Sequence, residues 1–489
     1  MRKNCGVLYV AIFSVCDMIE KITAKERKTM DILLYIGLAV TLAVIVGLSI
    51  WSGTRVKQGG KIGSVVAAGL IMGTLVGGSS SVGTAQLAYN YGMSAWWFTL
   101  GAGIACVFLA LVYAKPLRRA GCPTLVGIIR REFGDTTGML ASILSAAGTF
   151  INIISQLISA TAVIAVVIPQ LGTAFAVAIG VVFMVLYVIF GGTKGTGIIG
   201  IVKMALLYIS ILACGILVLK LVGGPADFTA MVKGIPADTK FFSLFARGVS
   251  VDGGACLSLI LGVLTTQTYA QAVLSAKSDR AGITGGLISA FLIPPIGIGG
   301  ILVGLYMRAN AALYPGLTAK TALTTFVTSH MHPLFAGVIL GGLFIAVVGT
   351  GAGLALGISA VINNDIVKRL TPKYDDPKSQ ARLSRLWIVL ALVGAGLLSC
   401  GALGDTILQF AFMSMGLRGA VIFAPLLCAL WLPGRIHRNY AMASVIAGPT
   451  AVLIFGIWKV LPFDSLFVGI GLSLLIMLSG LLRKNVGEA

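Results

Sequence analysis

The stretch GTLVGGSSSVGT, residues 73–84, lies in the middle of a long apolar run and interrupts its helical pattern. A second stretch, GVLTTQTY at residues 262–269, interrupts another run in the same way. Glycine weakens a helix through its backbone entropy, and Ser or Thr does so through hydrogen bonds to nearby backbone groups. We therefore predict two discontinuous membrane helices that expose carbonyl and amide groups at mid-depth, where they can bind ions and solutes.

The composition is that of a membrane protein. Of the 489 residues, 57% are hydrophobic and 11% are charged, whereas soluble domains carry roughly 25% charged residues. About thirteen apolar runs are long enough to cross roughly 30 Å of hydrocarbon as helices, and because they are continuous they exclude a β-barrel. The predicted spans of this all-α polytopic protein are residues 31–51, 63–90, 94–114, 137–167, 172–190, 195–221, 251–276, 281–305, 335–362, 386–402, 406–432, 440–458 and 463–482.

The two interrupted runs occupy matching positions, because each opens a set of five spans. The first set covers residues 63–221 and the second covers residues 251–432. An inverted repeat of five helices, with a broken first helix in each half, is typical of secondary transporters. Close helix packing through small residues is the alternative for either stretch taken alone. Residues 31–51 add one helix before the repeats, and residues 440–482 add two helices after them.

The net charge of +20 indicates membrane orientation rather than nucleic-acid binding. One set of alternate loops, with the C-terminal tail, carries 21 Lys and Arg residues, and the other set carries seven. The first set is predicted to be cytoplasmic, which places the N-terminus outside the cell membrane and the C-terminus inside. The lipid bilayer and a small solute are the expected partners, and the chain is expected to be a monomer or a loose homo-oligomer.

Residues 1–30 do not fit this orientation. They contain six basic residues, although they precede a helix that should begin outside. Their apolar part, residues 7–15, is too short to span, and no convincing cleavage site follows it as would be expected of a signal peptide. A misassigned start, with Met30 as the first residue, is the interpretation that we favour.

The chain lacks the residue patterns of a membrane enzyme or an ATP-driven pump. It contains no Walker motif, HExxH motif or metal-spaced cluster, and its acidic residues lie in loops or at span ends. The pair His330 and His332 lies in a loop and is more typical of a plain surface than of a metal site. We expect no catalytic residue and no cofactor, and any coupling cation must be held by carbonyl and hydroxyl oxygens.

Several short stretches, taken in order, resemble the sodium/solute symporter family, which has the LeuT-like inverted-repeat fold. The stretches VGG…GTA and AKPLR look most like the choline-transporter branch of that family. The stretches that carry the resemblance are VGG at 76–78, AYNYG at 88–92, AKPLRR at 114–119, REFG at 131–134, GG at 191–192, QTYAQ at 267–271, SAK at 275–277 and NDI at 364–366. The resemblance implies a symporter that imports a small polar organic solute by alternating access, coupled to sodium or to protons. An uncoupled facilitator or channel and a transporter-like solute sensor remain alternatives.

The resemblance also bears on the substrate. The choline branch surrounds a quaternary ammonium with aromatic rings, but Leu75 and Thr266 stand at two of the matching positions here. A small polar solute or an organic anion is therefore favoured over choline. The residues predicted to bind it are Ser79, Ser80, Asn152, Gln156, Thr265, Thr266 and Gln267.

For the main sodium site, the resemblance implies carbonyl ligands at Gly73, Val76 and Ala346 and a pair of hydroxyls at positions 349 and 350. Thr350 supplies one hydroxyl, but Gly349 lacks the other, so sodium binding is expected to be weakened. Gly200 stands where the family often has a carboxylate. The family's extra sodium site, which needs that carboxylate and hydroxyls near Ala352 and Gly353, is therefore expected to be absent.

Two basic residues, Lys203 and Arg418, lie inside predicted spans and away from the span ends. A buried ammonium at Lys203 could replace the coupling ion and exchange a proton, or the side chain could extend to the cytoplasmic surface. Arg418 lies near the middle of the span at 406–432, where charged residues are functional by default. It could contact an anionic substrate, act as a gating charge or pair with unwound backbone.

Overall fold

The computed structural model describes residues 32–45, 47–48, 61–168, 170–236, 238–367, 376–400, 407–458 and 463–482, with the backbone alone at residues 189–199, 377–378 and 457–458. The N-terminal extension at 1–30 lies outside these residues. The α-helices are α1 (Ile32–Ile45), α2 (Ser64–Leu75), α3 (Thr84–Tyr91), α4 (Trp97–Phe108), α5 (Ala114–Ala120), α6 (Leu125–Phe133), α7 (Asp135–Val167), α8 (Thr173–Val222), α9 (Pro225–Lys233), α10 (Val249–Thr265), α11 (Gln267–Leu274), α12 (Asp279–Leu292), α13 (Pro294–Ala309), α14 (Ala322–His330), α15 (Pro333–Val361), α16 (Pro377–Ser399), α17 (Ile407–Trp431), α18 (Arg438–Trp458) and α19 (Ser465–Leu482).

The first predicted break lies between α2 and α3. Helix α2 ends at Leu75, and Val76 follows in an extended conformation (φ −93°, ψ 109°). A π-helical turn over Ser79–Gly83 then leads into α3. The Ser80 hydroxyl accepts from the Gly77 N–H at 2.8 Å and donates to the Gly77 carbonyl at 2.9 Å. Because a serine side chain takes the place of helical backbone bonds, the helix cannot continue through this stretch.

The second predicted break lies between α10 and α11, which meet at an angle of 48°. Thr266 between them is extended (φ −92°, ψ 123°). The Thr265 hydroxyl donates to the Leu261 carbonyl at 2.6 Å, and the Thr266 hydroxyl donates to the Gly262 carbonyl. Two adjacent hydroxyls thus satisfy the carbonyls at the end of α10, where no further helical amides follow.

The two broken helices belong to one inner bundle. Helix α12 packs against α2, α13 packs against α3, and α10 packs against α4. Helices α7 and α15 pack against each other, α17 packs against α7, and α8 packs against both α2 and α15. The breaks in α2–α3 and α10–α11 therefore face the long helices α7, α8, α15 and α17 near the centre of the molecule.

The ends of the two broken helices on the predicted cytoplasmic side are joined by backbone. Ile62, just before α2, forms a parallel β-bridge with Ala276, just after α11. The Ile62 N–H donates to the Ser275 carbonyl at 2.9 Å, and the Lys277 N–H donates to the Ile62 carbonyl at 2.8 Å. Beside this bridge, Arg118 Nε lies 2.6 Å from Asp279 Oδ1.

The predicted count of thirteen spans is not confirmed. Among the described residues, nine helices are long and apolar enough to cross a membrane, or ten when the bent pair α10–α11 is one span. Three further apolar helical stretches, Ile32–Ile45, Ser64–Leu75 and Thr173–Val188, have 10–17 residues within the part of the chain that the structure describes and are not included in that number. The spans predicted at 172–190 and 195–221 both lie within α8, which is 50 residues long.

Candidate functional site

The ammonium of Lys203 lies at the first break. Lys203 is on α8, and its side chain is 2% exposed. Its Nζ donates to the Gly73 carbonyl at 2.6 Å and to Thr350 Oγ1 at 2.8 Å. The side chain therefore points into the centre of the molecule and joins α8 to both α2 and α15.

Local structure makes these oxygens available. In a continuous helix the Gly73 carbonyl would accept from the Gly77 N–H, but that N–H donates to Ser80 Oγ instead. The Thr350 hydroxyl, which accepts from Lys203, donates in turn to the Val76 carbonyl at 3.2 Å. The structure thus brings Gly73, Val76, Thr350 and Lys203 together, and Ala346 lies one turn before Thr350 on α15, fully buried.

Two glycines allow this arrangement. A methyl group at Gly73 would lie 2.7 Å from the Gly200 Cα, and a methyl group at Gly200 would overlap the Gly69 carbonyl. Helices α2 and α8 therefore meet backbone to backbone, with no space for the carboxylate that the family often carries at position 200.

At Gly349 a methyl group would lie 3.2 Å from Tyr187 Oη and 3.5 Å from Lys203 Nζ, so the position of the missing hydroxyl adjoins the ammonium.

A second group of predicted residues forms a network around Gln156 on α7. The Gln156 Oε1 accepts from the Gly78 N–H at 3.0 Å, and its Nε2 donates to Ser79 Oγ at 3.0 Å. The same Nε2 lies 3.5 Å from Asn152 Oδ1. Ser155, which is not among the predicted residues, has its Oγ 3.0 Å from Ser79 Oγ and donates to the Ile407 carbonyl at 2.8 Å. Amide and hydroxyl groups of α7 therefore face the amide end of the first break.

Three predicted solute residues lie apart from this network. The hydroxyls of Ser80 and Thr265 bond to carbonyls of their own helices, as described for the breaks. The Gln267 side chain points to the predicted cytoplasmic side, where its Oε1 accepts from the Leu125 N–H at 2.8 Å and its Nε2 donates to the Pro123 carbonyl at 3.1 Å. Gln267 therefore joins α11 to the loop before α6.

Arg418 lies at the second break. It is on α17 and is completely buried. Its Nη1 donates to Thr266 Oγ1 at 2.7 Å and its Nε donates to the Ser414 carbonyl at 3.2 Å, while Nη2 has no hydrogen-bond partner among the described residues. A methyl group at Gly148 on α7 would lie 2.7 Å from the Arg418 Cγ, so the glycine makes room for the side chain.

Two ion pairs lie on either side of the two helix breaks. At the predicted outer end, Arg247 Nη2 lies 2.6 Å from Asp252 Oδ1, and Ser94 Oγ donates to the same oxygen at 2.6 Å. At the predicted inner end, Arg130 Nη1 lies 3.0 Å from Asp365 Oδ1, beside a cleft of about 700 Å³. The sequence analysis missed both pairs, because their partners are loop or span-end residues whose proximity no local pattern reveals. The only signal was Asp365 itself, within the NDI stretch.

Comparisons with known proteins agree with this architecture. The family model described as "Sodium:solute symporter family" matches residues 57–448. The uncharacterized symporter YwcA of Bacillus subtilis is 25% identical over 341 residues, which are 66% of this chain and 64% of YwcA, slightly less than two thirds of its length. The high affinity choline transporter 1 of Homo sapiens is 23% identical over 450 residues, which are 84% of this chain and 75% of that protein.

The fold is also similar to that of a solved transporter. A Na⁺-coupled sialic acid symporter in its substrate-bound, outward-open state superposes with a TM-score of 0.77 at 18% identity, covering 93% of this chain and 98% of that one. This similarity confirms the LeuT-like fold that the family resemblance implied. Since the family model also matches most of its length, this multi-pass membrane protein belongs to the sodium:solute symporter family.

Proposed function

We propose that this protein imports a small polar organic solute by alternating access, and that its coupling ion is a proton carried by Lys203. A single observation carries the proposal for the coupling ion. The Lys203 Nζ lies 2.6 Å from the Gly73 carbonyl and 2.8 Å from Thr350 Oγ1, two of the oxygens that the family resemblance assigns to sodium. The ammonium therefore takes the position of the ion.

Sodium does not fit the same place together with the lysine. A sodium ion bound to the same oxygens as the Lys203 ammonium would lie directly beside it. Two positive charges this close repel strongly in a site from which water is excluded. The residues also supply too few ligands, because Gly349 offers no hydroxyl and position 200 cannot hold a carboxylate. A hard cation binds well only where enough oxygens surround it, so the departures at positions 200, 203 and 349 act in the same direction.

The hydrogen bonds of Lys203 connect its charge to the packing of the helices. The ammonium bridges α2 of the inner bundle and α15 outside it through charge-assisted bonds, which are stronger than neutral ones. When the ammonium releases its proton to water it becomes an amine, and the bridge between the two helices weakens. Protonation on one side and release on the other would then bias the bundle between its two orientations.

The solute would bind at the amide end of the first break. There, Gln156, Asn152 and Ser79 present amide and hydroxyl groups, and the adjoining helix ends present free backbone groups. The two ion pairs, Arg247–Asp252 and Arg130–Asp365, are the expected outer and inner closures of this site. With the Arg247–Asp252 pair at the outer side and the Arg130–Asp365 pair at the inner side, the N-terminus would be outside the cell membrane and the C-terminus cytoplasmic.

Sodium coupling is the second candidate, since the family and its solved member are sodium-coupled by name. The observation in its favour is that the Gly73 carbonyl and the Thr350 hydroxyl both lie at Lys203 Nζ, and that the Val76 carbonyl accepts from the same hydroxyl. In that case Lys203 would have to leave the site for the ion to enter.

Thermal unfolding of the purified protein distinguishes the two candidates without knowledge of the solute. Unfolding temperatures would be measured in sodium and in potassium at equal ionic strength and at several pH values. The wild type is expected to show no sodium-specific stabilisation and a stability that varies with pH. Lys203→Met should remove much of that variation, whereas Lys220→Met, at the exposed end of the same helix, should keep it. A sodium-specific rise in the wild type, of the form RT ln(1 + [L]/Kd), would overturn proton coupling.

Transport itself is tested in proteoliposomes that contain a pH-sensitive dye. A panel of small polar solutes would be added in sodium-free buffer. The proposal expects at least one solute to acidify the interior, and this influx should disappear in Lys203→Met. Solute uptake that requires sodium and leaves the internal pH unchanged would overturn it.

A further inference from the structure

Arg418 is a buried cation without a counter-charge. Among the residues that the structure describes, no carboxylate lies within ion-pairing distance of it, and the acidic residues that pair with arginine do so with Arg118, Arg130 and Arg247. The titratable group within electrostatic range is the phenol of Tyr269. An arginine keeps its charge in proteins, and leaving such a charge buried and uncompensated is strongly unfavourable. Some other anion is therefore needed.

We infer that Arg418 binds the carboxylate of the transported solute, and hence that the solute is a small organic monoanion. The inference rests on the proposed function and assigns a substrate class to it. One guanidinium nitrogen, Nη2, has no partner in the part of the chain that the structure describes, while Nη1 and Nε donate to Thr266 Oγ1 and the Ser414 carbonyl. The guanidinium group of Arg418 is therefore held in place with one N–H donor nitrogen available, which suits a carboxylate oxygen.

The helix end beside Arg418 favours the same charge. Thr266 is the residue immediately before α11, and Tyr269 and Ala270 are the first amides of that helix to bond back to it. The preceding amides have no partner within the helix, and a helix N-terminus attracts anions. Thr268, in the first turn of α11, also has a buried hydroxyl without a partner.

The face of α7 links Arg418 to the amide network. Gly148, Asn152 and Gln156 follow one another at intervals of four residues, so they lie on one face with a rise of about 6 Å per step. Gly148 contacts Arg418, and Gln156 contacts the first break. A solute whose carboxylate bonds to Arg418 would thus place its polar end within reach of Asn152, about one helical turn away. One uncompensated cation calls for one negative charge, which favours a monocarboxylate over a dicarboxylate.

The test compares carboxylates with their neutral amides. Purified full-length protein would be unfolded thermally with potassium acetate, propionate, pyruvate or lactate, and with the corresponding amides in potassium chloride of equal ionic strength. At least one carboxylate is expected to stabilise the wild type saturably, while its amide does not. Arg418→Lys and Arg418→Met should weaken the apparent affinity about 30-fold or more, and Arg308→Met, at the outer end of α13, should not change it.

A further variant keeps the inference testable if the Arg418 variants do not fold. Thr266→Val leaves the arginine in place but removes the acceptor that orients it, and should weaken carboxylate binding about threefold to tenfold. Equal stabilisation by acid and amide, equal stabilisation by chloride alone, no binding by any carboxylate of the panel, or unchanged affinity in Thr266→Val and Arg418→Lys would each overturn the inference. The effect of Lys203 on the pH dependence of stability is measured without any of these probes. The proposal for the coupling ion is therefore tested independently of carboxylate binding by Arg418.

Discussion

The two helix breaks differ in the buried cation that each one holds. At the first, the ammonium of Lys203 bonds to a carbonyl of the broken helix and to a hydroxyl of α15. At the second, the guanidinium of Arg418 bonds to Thr266 and to its own helix, and one nitrogen is left without a partner. Neither cation has a carboxylate beside it among the described residues.

The charges of Lys203 and Arg418 can be neutralised in different ways. A lysine can lose its proton when the surroundings favour the amine, whereas an arginine cannot. The charge at the first break can therefore disappear by chemistry internal to the protein. The charge at the second break can be compensated only by an anion that enters from outside. In this view the first break is suited to the coupling ion and the second to the solute.

The largest effect is expected when the two buried cations are made alike. Lys203→Arg places a cation that cannot release its proton at the first break. We expect solute-driven acidification of proteoliposomes to fall at least about tenfold, although the variant still folds and binds solute. Thermal stabilisation by the best-binding carboxylate serves as the control for binding. Normal coupled transport by Lys203→Arg would show that the lysine does not carry the proton.

The second test adds one methyl group to each break. At Gly77 it would lie 2.7 Å from the Thr350 Cβ and 2.9 Å from Gln156 Oε1, whereas at Gly262 it would lie 2.6 Å from the Met415 Cγ. Overpacking typically costs 1–3 kcal/mol at either position. We expect only Gly77→Ala to diminish the pH dependence of thermal stability, since it alone displaces Thr350. Equal loss of pH dependence in both variants would mean that the breaks are not functionally distinct.

A smaller effect is expected from the hydroxyl that Lys203 bonds. Thr350→Val keeps the shape of the side chain but removes both the acceptor for Lys203 and the donor to the Val76 carbonyl. The loss of stability should be about 1–3 kcal/mol, measured by chemical denaturation where refolding is reversible. Thr350→Ser retains the hydroxyl and should lie close to the wild type. A valine variant as stable as the serine variant would contradict the hydrogen bonds described.

The smallest expected effect is the most specific. The double variant Lys203→Ala/Gly349→Ser removes the ammonium and restores the missing hydroxyl, and the nearest remaining neighbour of the new side chain is Tyr187 Oη, 3.2 Å from its Cβ. We expect sodium, but not potassium, to stabilise this variant by on the order of 1 kcal/mol at 0.1 M. Lys203→Ala alone should respond less. No sodium response from the double variant would mean that the three carbonyls and the hydroxyls at positions 349 and 350 are insufficient as a sodium site.

Local sequence predicted the breaks well, because glycines and hydroxyls change the backbone where they stand. It also placed Lys203 and Thr350 in one group, although that required a resemblance, since they are 147 residues apart. The direction of Gln267 could not be predicted. A residue at a helix start can point along the helix or away from it, and the loop before α6 decides the outcome. The ion pairs Arg247–Asp252 and Arg130–Asp365 depend on the tertiary fold in the same way.

The backbone bridge between Ile62 and Ala276 has a mechanical consequence. Two main-chain hydrogen bonds join the residue just before α2 to the residues just after α11, so the two half-helices are linked on the predicted cytoplasmic side. A rotation of α2 when Lys203 changes charge would therefore be transmitted to α11, and hence to Thr266 beside Arg418. Because the bonds are between backbone atoms, side-chain substitution leaves this linkage intact. The proposed coupling site and the proposed solute site could then change their side chains independently while the two half-helices stay linked.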